Sequence, residues 1–298
     1  MKPIHLISTI SLTLLLLSCG DKEDDYDATG SFEATEVIVS AEANGRILSL
    51  NVQEGAQLTE GEMVGAIDST QLYLRKMSLL SRAKGVRAQR PDIDTQTAAI
   101  REQIKTLERE QERAEGLIAA NAANRKQLDD ITSQIGVLQQ QLSAQTSTLR
   151  KSSEQITAES SSLEIQIAQL DDQLAKTRIT PPITGTVLNR YAEAGELATI
   201  GMPLFKIADT ATLYLRAYVT NDQLAQIRLN DNVTVRVDDG KGSMKSYPGR
   251  ISWISDKSEF TPKTIQTKNE RANLVYALKI AVVNDGYLKI GMYGEVKL

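Results

Sequence analysis

The sequence predicts an elongated α+β multidomain protein. A small β-domain is split into two halves by a long antiparallel α-helical coiled-coil hairpin, and a small β-barrel follows. Three observations predict this. Gly45, Ile47, Gly55, Gly61, Val64 and Ile67 are matched without a gap, 140 positions later, by Gly185, Val187, Gly195, Gly201, Leu204 and Ile207. Each half is too short to close a core alone, so the two pair and the chain between them projects as an insertion. Apolar residues recur every seven positions through that insertion. No Phe, Trp or Tyr occurs between Tyr73 and Tyr191, whereas aromatics from Phe205 to Tyr293 mark a compact β-domain beyond it.

Residues 1–18 read as a signal peptide. Lys2 supplies the positive start and 4–17 form an apolar run, with 14–17 all leucine. That run is shorter than the ~20 residues of a membrane span and fits a signal h-region. Leu17-Ser18-Cys19-Gly20 follows it and resembles a bacterial lipobox. The resemblance implies cleavage before Cys19 and a lipid on its sulfur. Residues 19–34, opened by Asp21, Lys22, Glu23, Asp24, Asp25 and Asp27, read as an acidic tether.

Processing removes His5, the single histidine, and lipidation occupies the single cysteine. That excludes Ser-His-Asp and Cys-His catalysis and any zinc site built on those residues. No carboxylates, lysines, tyrosines or serines cluster at catalytic spacing, so no enzyme, metal or cofactor is expected. The net charge of -4 gives no hint of a nucleic-acid surface.

The first half-domain occupies 35–69. Alternating apolar residues and Glu-Gly punctuation (Glu54-Gly55, Glu60-Gly61) indicate short strands and tight turns. Its glycines read as turn positions needing φ > 0. The hairpin occupies 70–177. One heptad series is Leu72, Leu79, Val86, Ile93, Ile100, Leu107 and Ala114; the other is Leu128, Ile135, Leu142, Leu149, Ile156, Leu163 and Leu170. A strict seven-residue repeat keeps one stripe on one face and implies a left-handed supercoil. Ile131, Leu138, Ile167 and Leu174 fill the seam near the ends of the second helix, while Gln145 and Ser152 leave its middle thin. Arms of about 45 residues reach roughly 65–70 Å. Pro91 is expected to kink or split the first arm, and the Ser/Thr-rich 146–153 to break the second. The tip falls at about 115–124. The second half-domain is 178–209.

From 210 to 298 the pattern is β, with strands at 213–219, 232–237, 249–254, 274–283 and 293–298 and a short helix at 222–227. Asp238-Asp239-Gly240 and Asn284-Asp285-Gly286 punctuate them, which suits a small barrel.

The paired halves, with Ile179-Thr-Pro-Pro182 leading into Gly185 and Glu193-Ala-Gly195 into Gly201, resemble the split lipoyl (biotinyl-like) domain of the HlyD family of membrane fusion proteins, the periplasmic adaptors. The order lipobox, half-lipoyl, hairpin, half-lipoyl, barrel is similar too. In carrier lipoyl domains the turn between the halves holds a modified lysine. Here the hairpin replaces that turn and Lys76 and Lys84 lie in a helical pattern, so no cofactor is expected. Segment 260–271 and Gly291-Met-Tyr-Gly-Glu-Val296 resemble the barrel end of adaptors serving ABC exporters, and little sequence is left for the further membrane-proximal domain of adaptors of proton-driven pumps. An ABC-type inner-membrane partner is expected over a proton-driven one. Arg113, Leu117 and Asn124 resemble the Arg…Leu…Ser tip motif that meets a TolC-type outer-membrane channel, with Asn124 where Ser is usual. The family further implies self-association into a hexameric ring in the periplasm, anchored through Cys19 to the inner membrane in preference to the outer. The expectation is an export adaptor; the alternative is a lipid-anchored coiled-coil scaffold or spacer not involved in export.

Overall fold

A computed structural model describes residues 26–120, 122, 124–260 and 274–298. The leader, Cys19 and nearly all of segment 260–271 lie outside the described residues.

The repeat closes by exchange. Strands β2 (Gly45–Leu50) and β6 (Gly185–Arg190) occupy equivalent places, and each pairs with a short strand from the other half: β2 with β7 (Leu197–Ala198), β6 with β3 (Gln57–Leu58). The registers Gly45↔Ala198 and Gly185↔Leu58 are one pairing made twice, 140 positions apart. The Gly55 N–H donates to the Val187 carbonyl at 2.9 Å and the Gly195 N–H to the Ile47 carbonyl at 2.8 Å. Gly61 N–H and Gly201 N–H likewise reach the carbonyls of Pro181 and Ala41, at 2.9 and 2.8 Å. Gly55 and Gly195 adopt φ of +83° and +98° at equivalent turns, a region costly for residues with a Cβ. Gly185 is needed for another reason: a Cβ there would lie 2.2 Å from the Ala208 carbonyl oxygen.

Strands β4 (Gly65–Ile67) and β5 (Arg178–Ile179) complete the second layer of this domain. Ile47, Ile67, Val187 and Ile207, all members of the repeat, meet in its core beside Leu204 and Phe205, each at most 1 % exposed. Burying one such side chain is worth about 1.5–3 kcal/mol, and each half supplies only part of the cluster.

The second β-domain is a ring of pairings. Strand β1 (Ala28–Ser40) pairs with β12 (Tyr293–Lys297), and β12 with β9 (Asn232–Asp238). The order continues through β10 (Met244–Phe260), β11 (Leu274–Val283) and β8 (Pro203–Val219), and β8 returns to β1. Phe32, Leu215, Val235, Ile251, Leu278 and Ile280 fill its interior. Residues 28–34 are therefore strand rather than tether: Ala28 and Phe32 are buried, and leaving them in water would forfeit core area. The sequence hid this because acidic residues precede the strand immediately. The short helix, α4, is Asn221–Leu224, briefer than 222–227, and carries a Thr220–Gln223 capping box. Both β1 and β8 run through the two β-domains, paired along 29–40 and 203–218, with register shifts between Glu33 and Thr35 and between Val39 and Ser40.

The hairpin is α1 (Thr70–Ala88) and α2 (Ile93–Ala119) against one unbroken helix, α3 (Arg125–Ala175). Pro91 splits the first arm, and Asp92 caps α2 by accepting from the Thr95 N–H at 3.1 Å. The 51 residues of α3 span about 75 Å. The expected break at 146–153 is absent, because serine and threonine remain compatible with a helix when their hydroxyls bond within it or across the seam. Thr148 Oγ1 donates to the Ala144 carbonyl at 3.0 Å. Ser153, not Ser152, faces the first arm. The Arg90 Nε–H donates to Ser153 Oγ and the Arg87 Nε–H to Ser160 Oγ, both at 2.9 Å. Above and below this polar layer the seam is apolar: Ile104, Ala114, Ile131 and Ile135 toward the tip, Ala83, Val86 and Leu163 toward the base. Charge is sorted as well. The only charged residues of α1 are Arg75, Lys76, Arg82, Lys84 and Arg87, and the facing end of α3 carries Glu154, Glu159, Glu164, Asp171 and Asp172. Lys76–Asp171 at 2.5 Å, Arg82–Glu159 at 3.8 Å and Arg87–Glu164 pair across the arms. Each exposed pair is worth at most ~1 kcal/mol, so these fix register more than stability.

Two turns of the ring domain are pinned together by Lys245. Its Nζ lies 2.5 Å from Asp285 and over the rings of Tyr247 and Tyr287, at 5.1 and 5.0 Å. The hydrogen bond from Lys245, and then the Tyr287 N–H, hold the Asp285 carboxyl down at about 2. A carboxyl lowered by folding contributes stability above its unfolded value, and the contribution is lost as pH falls through the folded value. The thermal midpoint of wild type should therefore exceed that of Asp285→Asn by a constant margin above pH ~4. The margin should close as pH drops toward 2 in a calorimetric series. Gly185→Ala should cost at least about 1–3 kcal/mol in urea unfolding. Gly85→Ala, in mid-helix with open space around it, should gain about 0.5–1 kcal/mol.

Candidate functional site: the hairpin tip

The base of the hairpin is occupied by its own β-domain, which leaves the tip as its open end. Helix α2 closes there through the Ala120 N–H, which donates to the Gly116 carbonyl at 3.2 Å, and the Ala122 N–H returns to the Leu117 carbonyl at 2.9 Å. Asn124 then stands in extended conformation as the N-cap of α3, its Oδ1 accepting from the Lys126 N–H at 3.1 Å. An N-cap side chain satisfies one of the donors that a helix start leaves open. The last apolar layer is Ala114 against Ile131, with Leu128 packed beside them. Gln111 Nε2–H donates to Thr132 Oγ1 at 3.2 Å and ties the arms just below.

Arg113 and Leu117 are four residues apart on α2 and so share a face, one turn apart. Both are exposed, Leu117 by 46 %. Among the described residues the Arg113 guanidinium takes part in no hydrogen bond or ion pair. Glu110, Glu112 and Glu115 are its neighbours along α2. The structure thus gathers Arg113, Leu117 and Asn124 at one end. The side chains of the first two are left open to solvent and the third has its carboxamide oxygen committed to the cap. Such a surface offers a guanidinium fork and one aliphatic side chain to a partner. No group of three or more His, Cys, Asp or Glu among the described residues could hold a metal ion.

The sequence reading missed two features. The polar layer of Arg87, Arg90, Ser153 and Ser160 was visible in principle, since Ala83, Thr97 and Ile104 continue a second heptad series on the first arm in phase with Arg90. The other is a cleft of about 530 Å³ between the two β-domains, lined by Gln57, Thr186, Asp209, Thr210, Asn284 and Lys289. There Thr186 and Thr210 share a hydroxyl–hydroxyl bond of 2.7 Å. Only tertiary structure brings its walls together.

Residues 35–210 match the family model of the RND membrane fusion protein (MFP) barrel-sandwich hybrid domain. A UPF0194 membrane protein of Citrobacter koseri is 28 % identical over a 318-residue alignment covering 98 % of this chain and 96 % of that protein. A UPF0194 membrane protein from the asrC 5′ region of Acidithiobacillus ferridurans is also 28 % identical, over 88 % of this chain and 83 % of its own length. Among solved structures, MacA of Actinobacillus actinomycetemcomitans shares the fold with a TM-score of 0.55, at 21 % identity, over 91 % of this chain and 76 % of that chain. A MacA–MexA chimera carrying the Pseudomonas aeruginosa MexA α-hairpin gives 0.50 at 20 % identity, over 90 % and 78 %. No helix among the described residues is long and apolar enough to cross a membrane.

Asn124→Ala should cost about 0.5–2 kcal/mol at the start of α3. Hydrogen exchange should speed up at the amides of 125–128 while the base of the hairpin keeps its protection.

Proposed function

The chain belongs to the membrane fusion proteins that carry the barrel-sandwich hybrid domain, and from that premise we propose that it is a periplasmic adaptor of an export system, with no catalytic role. It would join an inner-membrane exporter to a TolC-type outer-membrane channel. The observation that carries the reading is the hairpin itself: one helix of 51 residues braced by a split partner, ending in a tip where Arg113 and Leu117 are presented to solvent. A spacer needs the length but not the presented pair, which favours the adaptor over a lipid-anchored scaffold. In this reading Arg113, Leu117 and Asn124 meet the channel and the closed ring of six strands is the small barrel that faces the exporter. Copies associate as a hexamer, and lipidated Cys19 holds the base at the inner membrane.

An ABC-type exporter is the proposed inner-membrane partner, on the resemblance of Gly291–Val296 and the preceding segment to adaptors of that class. A proton-driven partner is the second reading, favoured by the RND name of the matched family model.

A photoreactive residue in place of Leu117, activated in cells, should crosslink to an outer-membrane channel protein. Crosslinks only to the protein itself, with the chain abundant and lipid-labelled, would leave the scaffold as the better reading. Cys19→Ala should abolish metabolic lipid labelling, and labelling that persisted would sink the anchor.

A further inference from the structure

One end of the ring domain carries an apolar feature that the fold itself leaves unused. Strand β8 runs antiparallel to β1 and to β11, and β11 to β10. The start of β1, the end of β8, the start of β11 and the end of β10 therefore share the end of the ring away from the split domain. There β8 stops at Val219, opposite Tyr276. On the other flank β9 covers β10 only as far as Arg250, opposite Asn232. Strands β10 and β11 run on together as a two-stranded finger. Its last described pair, Phe260 with Leu274, lies two positions past Tyr276, a further ~7 Å.

The finger prolongs the core stripe of β11. Leu274, Tyr276, Leu278 and Ile280 alternate onto one face. Leu278 and Ile280 are in the ring's core and Tyr276 packs against it, whereas Leu274 has passed beyond it and is 54 % exposed. Phe260 stands directly across from Leu274, so the two side chains share a face. Phe260 is 87 % exposed, and no large hydrophobic among the described residues is more so. A single apolar residue in water is ordinary, but a cross-strand apolar pair at a projecting end is a contact surface.

Charge and tether say what the pair meets. The charged residues of 255–260 are Asp256, Lys257 and Glu259, and 274–276 has none. Arg216 Nη2 donates to both carboxylate oxygens of Glu259, at 3.0 and 3.1 Å, and Asp256 and Lys257 cancel. The pair thus has no net charge beside it to recruit a charged partner, and burial is its drive. The described chain also begins at this end, where the Asp27 N–H donates to the Val296 carbonyl at 2.8 Å. Cys19 lies seven residues before Tyr26, a reach of at most ~25 Å. A lipid on its sulfur, as the adaptor reading has it, would hold this end within that reach of a bilayer. Amphipathic elements bury their apolar faces roughly 5–10 Å into the boundary between headgroups and acyl chains, a depth that the projecting pair matches. We propose that Phe260 and Leu274 insert into the leaflet that holds the Cys19 lipid, through apolar burial between zwitterionic headgroups. The anchor alone leaves the ring free to tumble on its tether; this second point fixes its tilt. The inference rests on the lipid anchor of the adaptor reading and on neither exporter nor channel.

The test moves the tryptophan already present. Wild type has one, Trp253, paired with Lys279 in the body of the ring. Trp253→Phe with Phe260→Trp carries the indole to the finger. With the lipidated protein in phosphatidylcholine vesicles free of other protein, lipids brominated on their acyl chains should quench most of this emission, and iodide in the water should quench little of it. Trp253 of wild type should behave the opposite way. An indole on the finger that iodide quenches freely and brominated lipid does not would overturn the proposal and leave the pair to a protein partner absent from the vesicles. The mature chain carrying Cys19→Ala should still partition onto such vesicles, undiminished by molar salt. Adding Phe260→Ser with Leu274→Ser should weaken that partition at least about tenfold while circular dichroism and thermal midpoint stay unchanged. Equal partition by the folded Phe260→Ser/Leu274→Ser chain, or partition that salt abolishes, would also overturn insertion. Because the Cys19→Ala chain carries no lipid, failure of the anchor and failure of insertion are told apart, and export enters neither readout.

Discussion

Neither copy of the repeat can satisfy its own backbone. The Gly55 N–H finds its acceptor on Val187 and the Gly195 N–H on Ile47, so each half completes the other at equivalent places. These crossed bonds tie each turn to the opposite half, and the apolar set of Ile47, Ile67, Val187 and Ile207 is likewise shared. This reciprocity fixes everything beyond it. It holds residues 69 and 177 close together, and a chain of over a hundred residues leaving and re-entering at one place must double back. The hairpin's antiparallel form follows from the closure of the domain at its base as much as from its own heptads.

Within the hairpin, apolar packing and polar bonding alternate along the axis. The aliphatic layers supply the burial energy. The middle layer, where Arg87 and Arg90 donate to Ser160 and Ser153, contributes specificity of register, because sliding either arm by one turn would strand those donors. The sorting of cations onto α1 and anions onto the facing end of α3 acts in the same direction. Pro91 falls beside this layer, and the arm that lacks continuity there is bound to one that has it.

The parts that could be read from the sequence are those with a period. The 140-residue repeat, the sevenfold stripe and the Gly/Asp turn signals placed the split domain, both arms and most strands of the ring. Arg113, Leu117 and Asn124 were singled out through their resemblance to an adaptor tip motif, and the cap made by Asn124 follows from its residue type. What was not legible depended on partners distant in sequence. Residues 28–34 look like the end of an acidic tail until Tyr293 to Val296 and Tyr214 to Tyr218 are placed beside them. The 146–153 stretch looks like a breaker until Thr148 is seen bonded within the helix and Ser153 across the seam.

The two long strands β1 and β8 lie side by side through both β-domains, so no flexible linker joins ring to split domain. A pull along the molecule loads that ribbon in shear, and a ladder in shear must break many hydrogen bonds at once, whereas a peeled one yields them singly. Rotation imposed at the ring is carried to the hairpin base through continuous strand. The register shift after Glu33 is an irregularity at which that ribbon can flex between the two domains. A displacement of the lower domain would thus reappear at the tip as a swing magnified by the length of α3, with the molecule acting as a stiff lever.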